Sequence, residues 1–113
     1  MEQKKILWIR RCVRMRIYKY DLGIPCESPF RQIIYTENVA INKILNIQMQ
    51  GNHAVMWAEV TPYEGGTHVT VEAVWTGETA PTTSEMEYIA TIQEKTGLVY
   101  HYYVYNPYDN WGI

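Results

Sequence analysis

Five tyrosines crowd into nine residues near the C-terminus: Tyr100, Tyr102, Tyr103, Tyr105 and Tyr108. A phenol has a flat apolar face and one polar tip. Such rings can stack on nucleobases or on a partner protein, while their hydroxyls reach phosphate or ribose. If the segment is a strand, its period of two places His101, Tyr103 and Tyr105 on one face and Tyr100 and Tyr102 on the other. One face then packs a core and the other shows an aromatic strip. The plainer alternative is a cross-strand ladder of rings that only stabilises its sheet. Stacking is worth ~1–3 kcal/mol per base, so two rings are enough to matter. Arg14, Arg16 and Lys19 supply cations for a phosphate if their strand lies beside the tyrosine strand. Tyr18 on that strand, Trp75, and Thr76 and Thr82 from the Thr/Ser-rich loop Thr76–Ser84 complete the candidate ligand-binding set with His101, Tyr103 and Tyr105.

Reactive chemistry has weaker support. His53, His68 and His101 sit on or beside different strands, so a three-histidine metal site requires them to converge. Half-exposed strand residues explain them more simply, and no metal or cofactor is expected. Ser28 and Ser84 are the only serines, and neither lies in a nucleophile-elbow sequence. The glycines show no phosphate-loop spacing. Cys12 has basic neighbours that favour a thiolate, although a strand cysteine beside arginines is more often structural. Glu59, Glu72 and Glu87 fall on different strands, and solvated strand faces account for them. The chain therefore reads as a binder rather than an enzyme, with a histidine-based phosphodiesterase ranked last.

Charge divides the chain. Residues 1–19 hold seven Lys/Arg and one acid, whereas residues 20–113 hold three bases and eleven acids. A basic leader that neutralises an acidic body is the simple reading; an anion site fed by the first strand is the sharper one. The acidic body argues against duplex nucleic acid, which needs a broad basic face. Cys12 and Cys26 are too few for a disulfide framework, which suits a reducing cytoplasm. Ile6–Ile9 is too short for a signal-peptide core, and no apolar run reaches the length of a membrane span.

The elements that must position these groups are strands. The organising stretch is residues 44–60, ILNIQMQGNHAVMWAEV. Leu45, Ile47 and Met49 alternate with polar residues, Gly51-Asn52 suits a two-residue hairpin turn, and Ala54, Met56 and Ala58 alternate onward. Further strands are read at Met15–Leu22, Phe30–Thr36, Thr67–Thr76, Glu87–Gln93 and Leu98–Tyr105. Trp57 and Trp75 are placed on neighbouring strands, in core packing or a subunit contact. Glu37–Lys43 is a connector, and one short helix is allowed there or in Thr82–Glu87. The loop Gly77–Met86 is the natural lid. The fold class is all-β, mainly antiparallel: a small seven-stranded sandwich or open barrel. Residues 1–14 form a basic extension, 15–105 the β domain and 106–113 a tail.

Several blocks carry a family resemblance: IYKYDL (17–22), ILNIQMQ (44–50) into VMWAEVTP (55–62), the TG of VWTGE (74–78), EYIATIQ (87–93) and LVYHYYVY (98–105). From Arg16 onward they resemble a family of small, mostly uncharacterised β domains encoded by tailed bacteriophages and prophages. Small phage β proteins of this sort include anti-CBASS-type sponge proteins, which oligomerise and sequester cyclic nucleotide signals of bacterial defence. The resemblance implies a phage accessory protein in the host cytoplasm, a homo-oligomer (dimer or tetramer) that holds a small nucleotide second messenger. The alternative is a protein–protein inhibitor of a host defence enzyme, with the acidic body as a nucleic-acid mimic.

Overall fold

The computed structural model describes residues 15–81 and 86–107. Seven strands follow one another: β1 (Arg16–Gly23), β2 (Phe30–Tyr35), β3 (Val39–Gln50), β4 (His53–Pro62), β5 (His68–Trp75), β6 (Glu87–Gln93) and β7 (Val99–Tyr105). They form two sheets, ordered β1-β4-β3 and β2-β5-β7-β6, with every pairing antiparallel. The arrangement is a β-sandwich and not a closed barrel. The described residues contain no helix, so the connector read at Glu37–Lys43 is mostly the start of β3.

Apolar alternation fixes which face of each sheet turns inward. Ile41, Ile47, Met56, Ala58 and Val60 come from the three-stranded sheet. Val69, Val71, Ala73, Tyr100, Tyr102 and Val104 come from the four-stranded one. Together they form one buried cluster, the usual solution for two half-apolar sheets. β3 over β6 is the strongest contact between the sheets. The β3–β4 hairpin turns at Gly51-Asn52 with Gln50 opposite His53, and Gly51 takes φ +63°. Glycine at the first central position is what a type II′ hairpin requires.

Leu45 departs from its expected place on the buried face, being 43 % exposed. The register of β3 slips between Ile44 and Asn46, so Leu45 is the extra residue of a bulge. Strict alternation fails across such a residue.

Two chain crossings between the sheets lie side by side. Residues 36–38 lead from β2 to β3, and residues 63–67 lead from β4 to β5. Buried Thr36 and Thr67 tie them together. Thr36 N donates to Thr67 O at 2.9 Å, Thr67 N donates to Thr36 Oγ1 at 2.8 Å, and Thr36 Oγ1 donates to Val39 O at 2.6 Å. Tyr63 N reaches Asn38 O at 3.0 Å, with Asn38 at φ +59°. Gly66, at φ +75°, passes so close that a Cβ would lie 2.0 Å from Thr36 O.

Gly66→Ala therefore meets both a disfavoured backbone region and a backbone clash, and a loss of about 2–4 kcal/mol is expected by urea unfolding. Thr36→Val keeps the shape but strands the Thr67 N–H, for a loss of about 1–3 kcal/mol.

Candidate functional site

The outer face of the four-stranded sheet gathers most of the groups with recognition chemistry. Strand register sets them in cross-strand rows: Tyr35–His68, then Ile33–Thr70–Tyr105, then Arg31–Glu72–Tyr103–Tyr88, then Val74–His101–Thr91. β7 supplies the alternation read from its sequence. Tyr100 and Tyr102 are buried in the core, while His101, Tyr103 and Tyr105 are half-buried on the outside. Tyr88 and Tyr103 meet edge to face at 5.7 Å, and Tyr35 tilts over His68 at 6.0 Å. Such contacts hold ring planes in place for stacking.

His101 is fixed at both ring nitrogens. Its Nε2 lies 2.7 Å from Thr76 Oγ1 and its Nδ1 lies 2.9 Å from Thr91 Oγ1. Tyr88 Oη continues the chain at 2.7 Å from Thr91 Oγ1. A neutral imidazole donates at one nitrogen and accepts at the other, so the two hydroxyls take opposite roles. The result is a row of hydroxyls with a locked ring at its centre.

The cation on this face is Arg31. Its Nε and Nη2 both donate to Glu72 Oε1, at 2.9 and 2.6 Å. Glu72 is only 8 % exposed, which corrects its reading as a solvated strand residue. Because one oxygen takes both bonds, Nη1 remains the guanidinium donor not used by the carboxylate.

The candidate residues divide between two places. Thr76, His101, Tyr103 and Tyr105 share the outer face. Trp75 does not: it packs against the core and meets the Tyr100 ring at 6.3 Å. Arg16 and Tyr18 lie on β1, in the other sheet, so the expectation of a basic strand beside the tyrosine strand is overturned. They line a separate recess of about 230 Å³ with Glu37, Asn38, Val60 and Pro62. Arg14 and Thr82 lie outside the described residues, as do Cys12 and residues 82–85 of the loop read as a lid. Trp57 and Trp75 are likewise in different sheets, and Trp57 sits beneath the Lys19 ammonium at 5.7 Å.

The histidines do not converge. His53 Nδ1 contacts the Asp21 carboxylate at 2.9 and 3.0 Å, in the other sheet from His101. Among the described residues no group of three or more His, Cys, Asp or Glu could hold a metal ion. The Asp21 carboxyl is held below its ordinary range, first by the His53 hydrogen bond and then by the Gly23 N–H. Burial raises the Tyr102 phenol, with a smaller contribution from Tyr100, so it stays protonated at any physiological pH.

Arg31, Tyr35, Tyr88 and Thr91 were absent from the sequence-derived set. Alternation in FRQIIYT already places Arg31 and Tyr35 on one face. Thr91 was hidden, because the β6 register slips between Tyr88 and Ala90 and moves Thr91 onto the face that strict alternation denies it.

A family model described as a domain of unknown function, DUF7352, matches residues 14–111. The chain belongs to the DUF7352 family. No curated protein and no solved structure matches it. The DUF7352 match spans all seven strands, and with them both the outer face and the recess. No helix among the described residues of this DUF7352 domain is long and apolar enough to cross a membrane.

Two outcomes follow from the site's electrostatics. Arg31→Ala leaves the enclosed Glu72 carboxylate without its cation and lowers stability by about 1–3 kcal/mol, part of which Glu72→Gln recovers in the same background; urea unfolding reads both. For Asp21, the contribution of a depressed pKa is present above the unfolded-state value and lost as pH falls through the folded-state one. His53→Ala should raise the Asp21 pKa toward the ordinary carboxylate range, read by carboxyl-detected NMR titration.

Proposed function

We propose that this protein is a non-catalytic capture module of bacteriophage origin, an immune-evasion sponge that binds a small cyclic nucleotide in the host bacterial cytoplasm. The observation that carries this reading is the outer face of the four-stranded sheet. Fixed rings at Tyr88 and Tyr103 lie in the same row as Arg31, and a hydroxyl chain runs through Thr76, His101, Thr91 and Tyr88. Rings stack on bases, a guanidinium pairs with phosphate, and hydroxyls bond ribose or phosphate oxygens. Each chemical need of a nucleotide has a matching group there. The holding role draws support from His101, whose two nitrogens are both engaged by threonine hydroxyls. The blocks that resemble phage-encoded domains support the origin.

The excess of acids over bases in residues 20–113 favours a second reading, inhibition of a host defence enzyme by protein–protein contact. Pull-down from host lysate with recovery of one stoichiometric enzyme, and no nucleotide response, would favour that reading over the first.

Calorimetry with a panel of cyclic di- and trinucleotides should give saturable heat with at least one member. Tyr103→Ala and Tyr88→Ala should each weaken that binding by about tenfold, in keeping with ~1–3 kcal/mol per stacked base. Absence of heat and of a thermal shift with every member overturns the proposal.

A further inference from the structure

Among the described residues four strands have an open side: β1 and β3 in one sheet, β2 and β6 in the other. An unprotected edge offers unpaired N–H and C=O groups to any strand that matches it. Three of the four carry breaks that twist or interrupt such an edge. The register shifts between Asp21 and Gly23 in β1, at two points in β3, and between Tyr88 and Ala90 in β6. β1 also carries Arg16 and Lys19, and β3 carries Lys43. β2 differs. It pairs with β5 in unbroken register from Phe30 to Tyr35 and contains no proline or lysine. Ile33 is 49 % exposed and Tyr35 is 73 % exposed.

The direction of its backbone groups can be read from both ends of the strand. Thr36 N donates to Thr67 O, and Trp75 N donates to Ser28 Oγ. The positions facing β5 are therefore the even-numbered ones, by the alternation of an antiparallel ladder. Arg31, Ile33 and Tyr35 turn their N–H and C=O groups to the open edge, and the same residues place their side chains on the outer face.

We propose that β2 is the homodimer interface, pairing antiparallel with β2 of a second copy about a twofold axis at Ile33. The strand is complementary to itself in that register. Ile33 faces Ile33 of the other copy, and Arg31 at each end faces the other copy's Tyr35. Each of the three residues then donates and accepts one edge hydrogen bond. Apolar meets apolar, and the cation meets an aromatic ring. The two guanidinium groups stay at opposite ends, so no like charges oppose each other. A register shifted by two residues sets Arg31 against Ile33 in one direction, and in the other sets Ile33 against Tyr35 and leaves Arg31 opposite residue 37, beyond the other copy's β2; both lose this match. The pairing is isologous, so it closes at two chains and joins two four-stranded sheets into one. It stands whether or not the outer face binds a nucleotide.

Sedimentation velocity of the full chain across a micromolar concentration range should show a mass of two chains. Ile33→Lys sets two ammonium groups against each other at the axis and should raise the dimer dissociation constant by at least about tenfold. Its melting temperature, taken at a concentration where both proteins are monomeric, should be unchanged, since Ile33 lies outside the core. In a Cys12→Ser, Cys26→Ser background, Ile33→Cys should form a covalent dimer on oxidation, because directly opposed hydrogen-bonded positions lie about 5.5 Å apart between Cα atoms. Ile17→Cys on β1 is the control. A wild-type protein that stays monomeric throughout, an Ile33→Lys protein that dimerises as the wild type does, or cross-linking through Ile17→Cys in place of Ile33→Cys overturns the assignment.

Discussion

The fold depends on the threonine tie between two of its three chain crossings, β2 to β3 and β4 to β5. A sandwich must pass its chain from one sheet to the other, and each passage exposes backbone groups to the apolar interior. Here two of the passages run together, and Thr36 and Thr67 satisfy each other's groups at distances near 2.8–2.9 Å. The tie also fixes where β2 ends and β5 begins. Those two strands set the register of the whole four-stranded sheet, and hence the rows on its outer face. Gly66 belongs to the same device, because no side chain fits where the second passage presses on the first.

β7 shows how one strand divides its labour. Its inward residues, Tyr100, Tyr102 and Val104, are buried at 3 % exposure or less. Its outward residues are held by neighbours on both sides, Glu72 and Val74 from β5 and Tyr88 and Thr91 from β6. The inward rings carry a cost. Tyr100 Oη, Trp75 Nε1 and Tyr20 Oη are enclosed with no hydrogen-bond partner among the described residues, and a group left so opposes folding by about 1–3 kcal/mol. Their large apolar areas must offset that cost, which fits a core otherwise made of Val, Ile, Ala and Met.

Much of this was legible in the sequence. Period-two alternation located seven strands, the Gly51-Asn52 turn, and the split of β7 into an inner and an outer face. What alternation cannot supply is the sheet to which a strand belongs. Arg16 and Tyr18 have the right chemistry on the right kind of strand, yet β1 pairs with β4 and leaves the tyrosines to β5 and β6. Bulges set the second limit. One extra residue reverses every face beyond it, which sent Leu45 outward and brought Thr91 into the row with His101. Arg31 was visible as a residue but had no assigned neighbour until β2 was placed beside β5.

The transfer of the cationic role from β1 to β2 has a consequence for regulation. β1 lies in the other sheet, so charge on it affects the outer face only at long range. Arg31 sits on the edge strand itself, between the aromatic row and the open backbone of β2. Its guanidinium is held by the Glu72 carboxylate, and under the two proposals it would also serve an anion on the outer face and the Tyr35 ring of a paired copy. Those demands are not independent, because one planar fork has a fixed set of donor directions. An anion that rotates Arg31 away from Glu72 changes what the edge offers to a second chain, and pairing at the edge changes what the face offers to an anion. By linkage the two effects on affinity must be equal in size. Their sign depends on whether the guanidinium can serve ring and phosphate together. With the proposed face above the proposed edge, Arg31 is the residue common to both.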